Sequence, residues 1–248
     1  MIYLTGDTHG EFSRLEIFHQ RFSLMQEDTL IILGDAGVNY YGNRLDDMKK
    51  RQLQDLPFSI FCIHGNHEMR PTSCINTDGT PMYREIAYCG GIAYAEEAYP
   101  RLLFAKDGEI YAFPSQGGSV KHCIAIGGAY SVDKFYRLKK AATLGDRGGY
   151  RWFSDEQPSD EIKARVAAKL AAVGNKIDVV LSHTCPFRYL PRECFLSGID
   201  QSTVDSSTEK WLDEIKQRID YGHWYCGHYH TDKSIDKLTF MFEQFTCL

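Results

Sequence analysis

The sequence predicts a layered α/β fold built around parallel strands. In residues 1–70, short apolar segments alternate with segments whose apolar residues recur at helical spacing. The same alternation returns in residues 154–230. Strands that alternate with helices in this way are typical of a parallel sheet with helices packed on its faces.

The N-terminal third carries three predicted strands and two predicted helices. In chain order these are the strand MIYLTGD, a helix over residues 11–23, the strand DTLIILGD, a helix over residues 44–54 and the strand FSIFCIHGNHE. In the first helix, Phe12, Leu15 and Phe18 fall on one side. The strand segments are almost entirely apolar, as expected for strands that are buried on both faces.

The middle of the chain changes character. Short strands are predicted at residues 83–88, 101–104, 109–113 and 122–128, with glycine or proline between them, which is typical of an antiparallel sheet. The stretch 130–153 is basic and aromatic. We predict that it forms an irregular excursion over the core, either as a solvated surface or as a lid that receives an anionic substrate.

The C-terminal part returns to alternating helices and strands. A helix is predicted to start at an N-cap, Ser154 or Ser159, and to end at Gly174. It is followed by the strand KIDVVLSHTCP, a helix over residues 208–219, the strand HWYCGHYH and closing strands within SIDKLTFMFEQF. With no convincing linker along the chain, we expect a single domain over residues 1–248.

Composition limits the class of protein. The formal net charge of −5 argues against broad, salt-driven binding of nucleic acid. The longest apolar runs are far shorter than a membrane span, and Asp7 follows so early that we expect no signal peptide. None of the eight cysteines forms a C-x-x-C pair, so we expect buried thiols in a reducing cytoplasm.

Five polar motifs follow the predicted buried strands, and four of them have glycine directly before the first polar residue. Their residues are Asp7 and His9, then Asp35, then Asn66 and His67, then His183, and finally His228 and His230. In open α/β sheets, functional sites lie beyond the carboxyl ends of the strands. We therefore expect these side chains to meet.

The residue types in these motifs indicate metal ions. Residues i and i+2 of an extended chain point the same way, so Asp7 and His9 can reach one ion. His228 and His230 can do the same, or they can divide between two ions if the chain turns there. Carboxylate, imidazole and amide ligands suit Mn²⁺, with iron or zinc as alternatives. Seven ligands suit two ions, with Asp35 between them.

Such a pair of ions suits hydrolysis of a phosphoester. The two ions would lower the pKa of a shared water and stabilise the charge that develops on the phosphoryl group. His67 lies beside the predicted ligand Asn66 and can donate a proton to the leaving oxygen or stabilise the transition state.

The ordered set GD-x-H, GD, GNHE, H and GH-x-H, over residues 6–230, resembles the calcineurin-like metallophosphoesterase superfamily. The resemblance implies a four-layer αββα sandwich, with two mixed β-sheets flanked by helices, and a dinuclear metal centre. It also implies two ligand sets: Asp7, His9, Asp35 and His230 for one ion, and Asp35, Asn66, His183 and His228 for the other. Catalysis is then assigned to His67 and Asp35.

One segment departs from a subgroup of this family. Serine/threonine phosphoprotein phosphatases follow the second GD with an aspartate-arginine-glycine run, and this chain has GDAGVNYYGNR. The arginine that would clamp a phosphate is absent from that position. Possible replacements are Arg44, Arg70, Arg188 and Arg192. We therefore name Asn66, His67, Arg70 and Arg188 as candidate substrate-binding residues.

Several interpretations stay open at the level of sequence. Glu68 is expected either to be an acid at the start of a helix or to accept a hydrogen bond from a ligand imidazole, and His64 is expected to be a packed core histidine. The predicted activity is a phosphodiesterase or phosphatase acting on a small or nucleotide-type phosphorylated substrate. The alternatives are a phosphoprotein phosphatase and a non-catalytic scaffold that binds a partner. No membrane contact and no strong nucleic-acid contact are expected.

Overall fold

A computed structural model of the chain describes residues 1–145 and 149–248, except for the side chain of residue 116. The strands are β1 Ile2–Thr5, β2 Thr29–Ile32, β3 Ser59–Cys62, β4 Arg84–Tyr88, β5 Gly91–Ala95, β6 Leu102–Ala105, β7 Ile110–Pro114, β8 Val120–Ile126, β9 Lys176–Ser182, β10 Asp220–Cys226, β11 Lys233–Ile235, β12 Leu238–Phe240 and β13 Thr246–Cys247. The α-helices are α1 Ser13–Phe22, α2 Arg44–Asp55, α3 Lys134–Leu144, α4 Asp160–Ala172 and α5 Ser207–Arg218.

The strands form two mixed sheets. The first has the order β13-β1-β2-β3-β6-β5-β4, and the second has the order β11-β12-β10-β9-β8-β7. In the first sheet, β1, β2, β3 and β6 run parallel. In the second sheet, β8, β9, β10 and β12 run parallel. The parallel strands lie at the centre of each sheet, and antiparallel strands lie at the edges.

The two sheets pack face to face. One apolar core contains Leu4 and Phe61 from the first sheet together with Tyr111 and Leu181 from the second. The rings of Phe61 and Tyr111 meet edge to face, with centroids 4.8 Å apart. Aromatic contacts of this kind stabilise a core beyond the area that they bury.

Helices cover the outer faces of both sheets. Leu15 of α1 and Leu53 of α2 share a core with the first sheet. Val166 of α4 and Leu212 of α5 share a core with the second sheet. The molecule is therefore a four-layer αββα sandwich, and the predicted fold class is confirmed. None of the described helices is long and apolar enough to cross a membrane.

Local sequence explains where α4 begins and ends. The hydroxyl oxygen of Ser159 accepts a hydrogen bond from the backbone N–H of Ile162, so Ser159 rather than Ser154 is the N-cap. Asp160 and Glu161 then lie in the first turn, where acids interact well with the helix dipole. Gly174 follows the helix with a φ of +66°, a conformation that favours glycine.

The stretch 130–153 differs from its prediction. The sequence predicts irregular structure there, and the structure instead contains α3, Lys134–Leu144. No side chain of this helix is buried, and the side chain of Phe135 is 67% exposed. A helix without a core-facing stripe gives no apolar periodicity, so the sequence did not reveal it. Residues 146–148 of this stretch lie outside the described residues.

The predicted antiparallel middle is correct only in part. β4, β5 and β6 pair antiparallel, and so do β7 and β8. However, β6 also pairs parallel with β3, and β8 pairs parallel with β9. These parallel partners are distant in sequence, and spacing along the chain does not identify them.

Candidate metal centre

All five motifs lie directly after parallel strands, beyond their carboxyl ends. The strands are β1, β2 and β3 of the first sheet and β9 and β10 of the second. At two of these motifs the backbone passes so close to a predicted ligand side chain that only glycine fits. A Cβ atom on Gly34 would overlap Nδ1 of His183, and a Cβ atom on Gly227 would overlap Oδ1 of Asp7.

The backbone of the centre is strained. Among the described residues, a left-handed backbone occurs at His9, Asp35, His228 and His230, with φ between 48° and 69°. Non-glycine residues adopt this conformation at a cost, and such residues cluster at functional sites. The fold thus holds four of the predicted ligands in conformations that they would not adopt freely.

The first group of side chains is Asp7, His9 and His230. The Nε2 atoms of the two imidazoles are 2.9 Å apart. Oδ2 of Asp7 lies 3.3 Å from Nε2 of His230 and 3.8 Å from Nε2 of His9. Asp7 is buried and both imidazoles are exposed on one side. Three ligand atoms therefore converge near the surface.

The second group is Asp35, Asn66 and His183. Nδ1 of His183 donates to the carbonyl of Leu33 over 2.8 Å, which leaves the lone pair on Nε2. That Nε2 lies 2.8 Å from Oδ1 of Asn66 and 3.7 Å from Oδ2 of Asp35. The Asn66 amide is oriented because its Nδ2 donates to Oγ of Ser131 over 2.9 Å. Three lone pairs therefore point at one small volume.

His228 lies beside this second group. Its ring centroid is 4.9 Å from that of His183, and its backbone N–H donates to Oδ1 of Asp7 over 2.9 Å. Burial, together with His183, lowers the pKa of His228 to about 3. The imidazole is therefore neutral at pH 7, which is the form that binds metals.

The two buried aspartates fit a pair of divalent ions. Oδ2 of Asp7 and Oδ2 of Asp35 are both buried without a hydrogen-bond partner. Burial alone would raise the pKa of each carboxyl, but His183 and the other nearby imidazoles lower both pKa values below the ordinary range. Buried, ionised oxygens that lack a hydrogen-bond partner are normally matched by cations. The oxygen and nitrogen ligands suit manganese, iron or zinc.

Glu68 does not have its expected partner. Its Oε1 accepts the N–H of Gly65 over 2.9 Å, and its Oε2 accepts the N–H of Gly37 over 3.3 Å. The prediction that Glu68 accepts from a ligand imidazole is therefore wrong. Burial and the charge of Asp35 raise the pKa of Glu68 to about 8. The side chain joins the loop after β2 to the loop after β3.

The two predicted substrate-binding arginines are engaged elsewhere. Arg70 is buried, pairs with Asp107 and donates from Nε to the carbonyl of Asp155 over 2.8 Å. Arg188 forms a two-point pair with Asp213, at 2.6 and 3.1 Å. Neither lines the cleft beside His67, described next, so the geometry does not support their proposed role.

A cleft of about 230 Å³, here called the His67 cleft, opens beside the metal-centre candidates. Its lining includes His9 and His67, the tyrosines Tyr40, Tyr41 and Tyr150, and the charged residues Lys49, Asp133 and Arg137. Nε2 of His67 is 4.0 Å from Oδ2 of Asp35. The cleft thus begins beside His9 and His67, and its rim is aromatic and carries two cations, Lys49 and Arg137, and one acid, Asp133.

Arg137 is the main residue that sequence reasoning missed. It lies on α3, where Nε pairs with Asp133 over 2.6 Å and Nη1 donates to the Tyr40 hydroxyl over 2.9 Å. Its charge contributes to lowering the pKa of His67, although burial is the larger cause. The basic and aromatic composition of 130–153 indicated the segment, but nothing in it distinguished Arg137 from its neighbours.

A buried polar network supports the metal centre from the side of α5. The Thr184 hydroxyl donates to Oε1 of Glu209 over 2.8 Å and lies 3.0 Å from the Tyr229 hydroxyl. Thr184 follows His183, and Tyr229 lies between His228 and His230. Burial raises the pKa of Glu209 to about 7.

We expect Glu209→Gln to change how stability depends on pH. The carboxyl binds its proton more tightly in the folded state, so the wild type is most stable, relative to the variant, below about pH 4.5. Wild-type stability then falls as pH rises through about 7. At pH 8 the variant should be more stable by up to about 3 kcal/mol. Urea unfolding at pH 5 and pH 8 measures the difference.

Glu214→Gln is the matched control for this prediction. Glu214 lies on the same helix, with its side chain 61% exposed. The stability of Glu214→Gln relative to the wild type should not increase as pH rises. A difference between the Glu209 variant and the wild type that stays constant from pH 5 to pH 8 would contradict the raised pKa.

The fold and the converging carboxylates and imidazoles define a metal-dependent hydrolase of phosphoric esters. The family model described as calcineurin-like phosphoesterase matches residues 1–232, so the chain belongs to this family, whose members use a dinuclear metal centre. The predicted family and enzyme class are confirmed.

One solved structure resembles this chain weakly. The crystal structure of phosphopantetheinyl hydrolase (PptH) from Mycobacterium tuberculosis is 15% identical, with a TM-score of 0.44, over 97% of this chain and 87% of that chain. A likeness this weak carries no argument about substrate. No curated protein matches this chain.

Proposed function

We propose that the chain hydrolyses a phosphoester of a small, nucleotide-type molecule, with its two metal ions held by the predicted ligands. One ion would be held by Asp7, His9, Asp35 and His230, and the other by Asp35, Asn66, His183 and His228. The observation that carries the substrate class is the His67 cleft. It combines tyrosine rings with Lys49 and Arg137, and it is also lined by His9 and His67, whose Nε2 atoms lie 3.8 Å from Asp7 and 4.0 Å from Asp35.

The metal ions supply one part of the chemistry. When bound, two divalent ions, which we propose to be manganese, activate a water for attack and offset charge on the phosphoryl group. The residues of the chain supply the rest. Asp7 and Asp35 provide buried negative charge, and the neutral imidazole of His67 can donate an N–H hydrogen bond toward the leaving oxygen.

The rim of the cleft is suited to the rest of the substrate. Arg137 and Lys49 can offset phosphate charge, and the rings of Tyr40, Tyr41 and Tyr150 offer faces against which a base can stack. The lid role proposed for 130–153 fits in part, since Asp133, Arg137, Gly149 and Tyr150 line the cleft. We propose that residues 1–248 act as one domain.

The alternatives have less support. A phosphoprotein phosphatase would act on a protein chain, and a cleft of about 230 Å³ suits a smaller group. A non-catalytic scaffold would not need unpaired buried oxygens on both Asp7 and Asp35. We also propose a cytoplasmic location, because all eight cysteines are free thiols.

Two chromogenic substrates test the proposal. Metal-stripped protein, reconstituted with Mn²⁺, is assayed with an aryl phosphate monoester and a bis-aryl phosphate diester in parallel. Turnover of either substrate that depends on Mn²⁺ supports the proposal, and the preferred substrate separates phosphatase from phosphodiesterase. Nucleotide monoesters and cyclic nucleotides are then compared with phosphoserine peptides. Faster hydrolysis of the peptides would overturn the small-substrate assignment.

We expect Arg137→Gln to raise KM for the preferred substrate about tenfold or more, because it removes a cation beside the phosphate. Metal content should not change, because Arg137 contacts none of the proposed ligands. Steady-state kinetics and metal analysis on the same preparation measure both quantities.

Lys140→Gln is the matched control for Arg137→Gln. It removes one positive charge from the same helix, at a residue that packs over Tyr136 and does not line the His67 cleft. Equal effects of the two substitutions would mean that α3 acts through its overall charge and not through a contact with substrate.

A further inference from the structure

The side-chain amide of Asn66 lies in an orientation that the predicted metal ligands do not explain. Nδ1 of His183 donates to the carbonyl of Leu33, so Nε2 carries a lone pair, and Oδ1 of Asn66 lies 2.8 Å from that Nε2. Two acceptors at this distance repel each other unless a cation lies between them. The reversed amide would instead donate from its NH₂ group to Nε2. A neighbouring group must therefore favour the orientation that can bind a cation.

Ser131 accepts a hydrogen bond from the other end of this amide. Nδ2 of Asn66 donates to Oγ of Ser131 over 2.9 Å, and both residues are buried. A hydroxyl can both donate and accept, so it suits an amide in either orientation. If the amide were reversed, the Ser131 hydroxyl could donate to Oδ1. Ser131 alone therefore does not select the orientation.

Glu156 is held against the segment that carries Ser131. Its Oε1 accepts the backbone N–H of Ser131 over 3.2 Å, and its backbone carbonyl accepts the N–H of Ala129 over 3.1 Å. A Cβ atom on Gly128 would overlap that carbonyl oxygen. Glu156 is only 2% exposed. Its carboxyl group is therefore fixed beside Ser131 and shielded from water.

The Ser131 side chain also interacts with this carboxyl group. Burial raises the pKa of Glu156, and the hydroxyl of Ser131 opposes that rise. An ionised carboxylate only accepts hydrogen bonds. If it takes the hydroxyl proton of Ser131, a lone pair of Oγ is left for the NH₂ group of Asn66.

We propose that Glu156, acting through Ser131, holds the Asn66 amide with its oxygen toward Nε2 of His183. The hydrogen bonds then run in one direction, from the Asn66 NH₂ group to the Ser131 hydroxyl and from that hydroxyl to the Glu156 carboxylate. The carboxylate fixes the direction because it cannot donate. Glu156 is thus a positioning residue. The inference rests on the proposed function, in which Asn66 is a ligand of the second metal ion.

Glu156→Gln tests this role with almost no change in side-chain shape. The glutamine NH₂ group can donate to Oγ of Ser131, which frees the hydroxyl to donate to Asn66 and favours the reversed amide. We expect one of two Mn²⁺ ions to bind about 10–100-fold more weakly in calorimetric titrations of the metal-stripped protein. Ser131→Ala removes the acceptor for the Asn66 NH₂ group and should weaken Mn²⁺ binding to a similar degree.

Glu109→Gln is the matched control for Glu156→Gln. Glu109 is also buried, but its Oε2 pairs with Nζ of Lys169 over 2.9 Å and not with a neighbour of a predicted ligand. Mn²⁺ binding by this variant should equal that of the wild type. Thermal unfolding of the metal-stripped proteins checks that each variant folds.

Asn66→Asp separates positioning from a general effect on the fold. Both terminal atoms of the side chain are then oxygens, so an oxygen faces the ion whichever way the group is turned. In the Asn66→Asp background, Glu156→Gln should therefore change Mn²⁺ affinity by less than about twofold. If Glu156→Gln does not fold, Ser131→Ala is compared in the same two backgrounds.

Two results would overturn the inference. Glu156→Gln could bind both ions as tightly as the wild type does, or it could lose the same factor with Asn66 and with Asn66→Asp. The wild type separates this failure from failure of the proposed function. If the wild type binds two Mn²⁺ ions and hydrolyses the chromogenic substrates, the proposed function stands whatever Glu156→Gln does. A wild type that binds no Mn²⁺ would contradict both.

Discussion

Asp35→Asn should lower kcat/KM by roughly a thousandfold or more and should leave the fold intact. Asp35 is the proposed link between the two metal sites, and its Oδ2 is buried without a partner. In the variant an NH₂ group can occupy that position, and an NH₂ group cannot bind a cation. We therefore expect metal content per chain to fall together with activity.

The backbone should tolerate this substitution. Asp35 has a φ of 48°, and asparagine is among the residues that adopt the left-handed region most readily. The amide oxygen can still accept the N–H of His67, which Oδ1 accepts at 2.8 Å in the wild type. The substitution thus changes the chemistry of one oxygen and little else.

Metal-free protein gives a second readout of the same variant. The wild type buries an ionised carboxylate with an unpaired oxygen, and removing such a charge often stabilises a fold. We expect metal-stripped Asp35→Asn to melt at the same temperature as the metal-stripped wild type, or higher. Thermal unfolding with and without added Mn²⁺ measures this. Only the melting temperature of the wild type should rise strongly when the metal is added.

Asp236→Asn is the control for the backbone. Asp236 also has a left-handed backbone, with a φ of 55°, and it is exposed in the turn between β11 and β12. This control should keep full activity and full metal content. Retained activity in Asp35→Asn would contradict the two-metal proposal. Loss of fold in Asp35→Asn alone would show that Asp35 holds the structure.

Much of the centre could be predicted from sequence, for a physical reason. The carboxyl ends of parallel strands share one edge of a sheet, so the order of the motifs is enough to bring their side chains together. Asp7 and Asp35 follow neighbouring strands of the first sheet, and His183 and His228 follow neighbouring strands of the second. Each motif is a short, local feature of the sequence, and the strand order of the two sheets brings the motifs together.

The rest could not be predicted because it depends on contacts between distant residues. Arg70 pairs with Asp107, and Glu68 accepts the backbone N–H of Gly37. Each contact joins residues that are distant in sequence, so no local sequence pattern indicates it. Arg137 belongs to a helix with no buried side chain, so apolar spacing does not show that the helix exists. The residues that we propose to bind the substrate are therefore the ones that the sequence indicated least well.

His67→Ala should lower kcat by about 10²–10⁴-fold with little change in KM or metal content. The imidazole lines the cleft beside Asp35, with its side chain 21% exposed, and it is not one of the proposed ligands. Burial lowers its pKa, with Arg137 adding to this effect and Asp35 opposing it. At neutral pH the side chain is then a neutral N–H donor, which is the form that the proposed role requires.

The leaving group decides what His67 does. A nitrophenolate leaves without help, whereas an alkoxide needs a proton or a hydrogen bond, so the loss in His67→Ala should grow as the pKa of the leaving alcohol rises. His67→Gln keeps an N–H donor and should recover part of the loss for every substrate. An equal loss across leaving groups would limit His67 to stabilising charge on the phosphoryl oxygens. A parallel loss of bound metal would instead make it a structural support of the loop that carries Asn66.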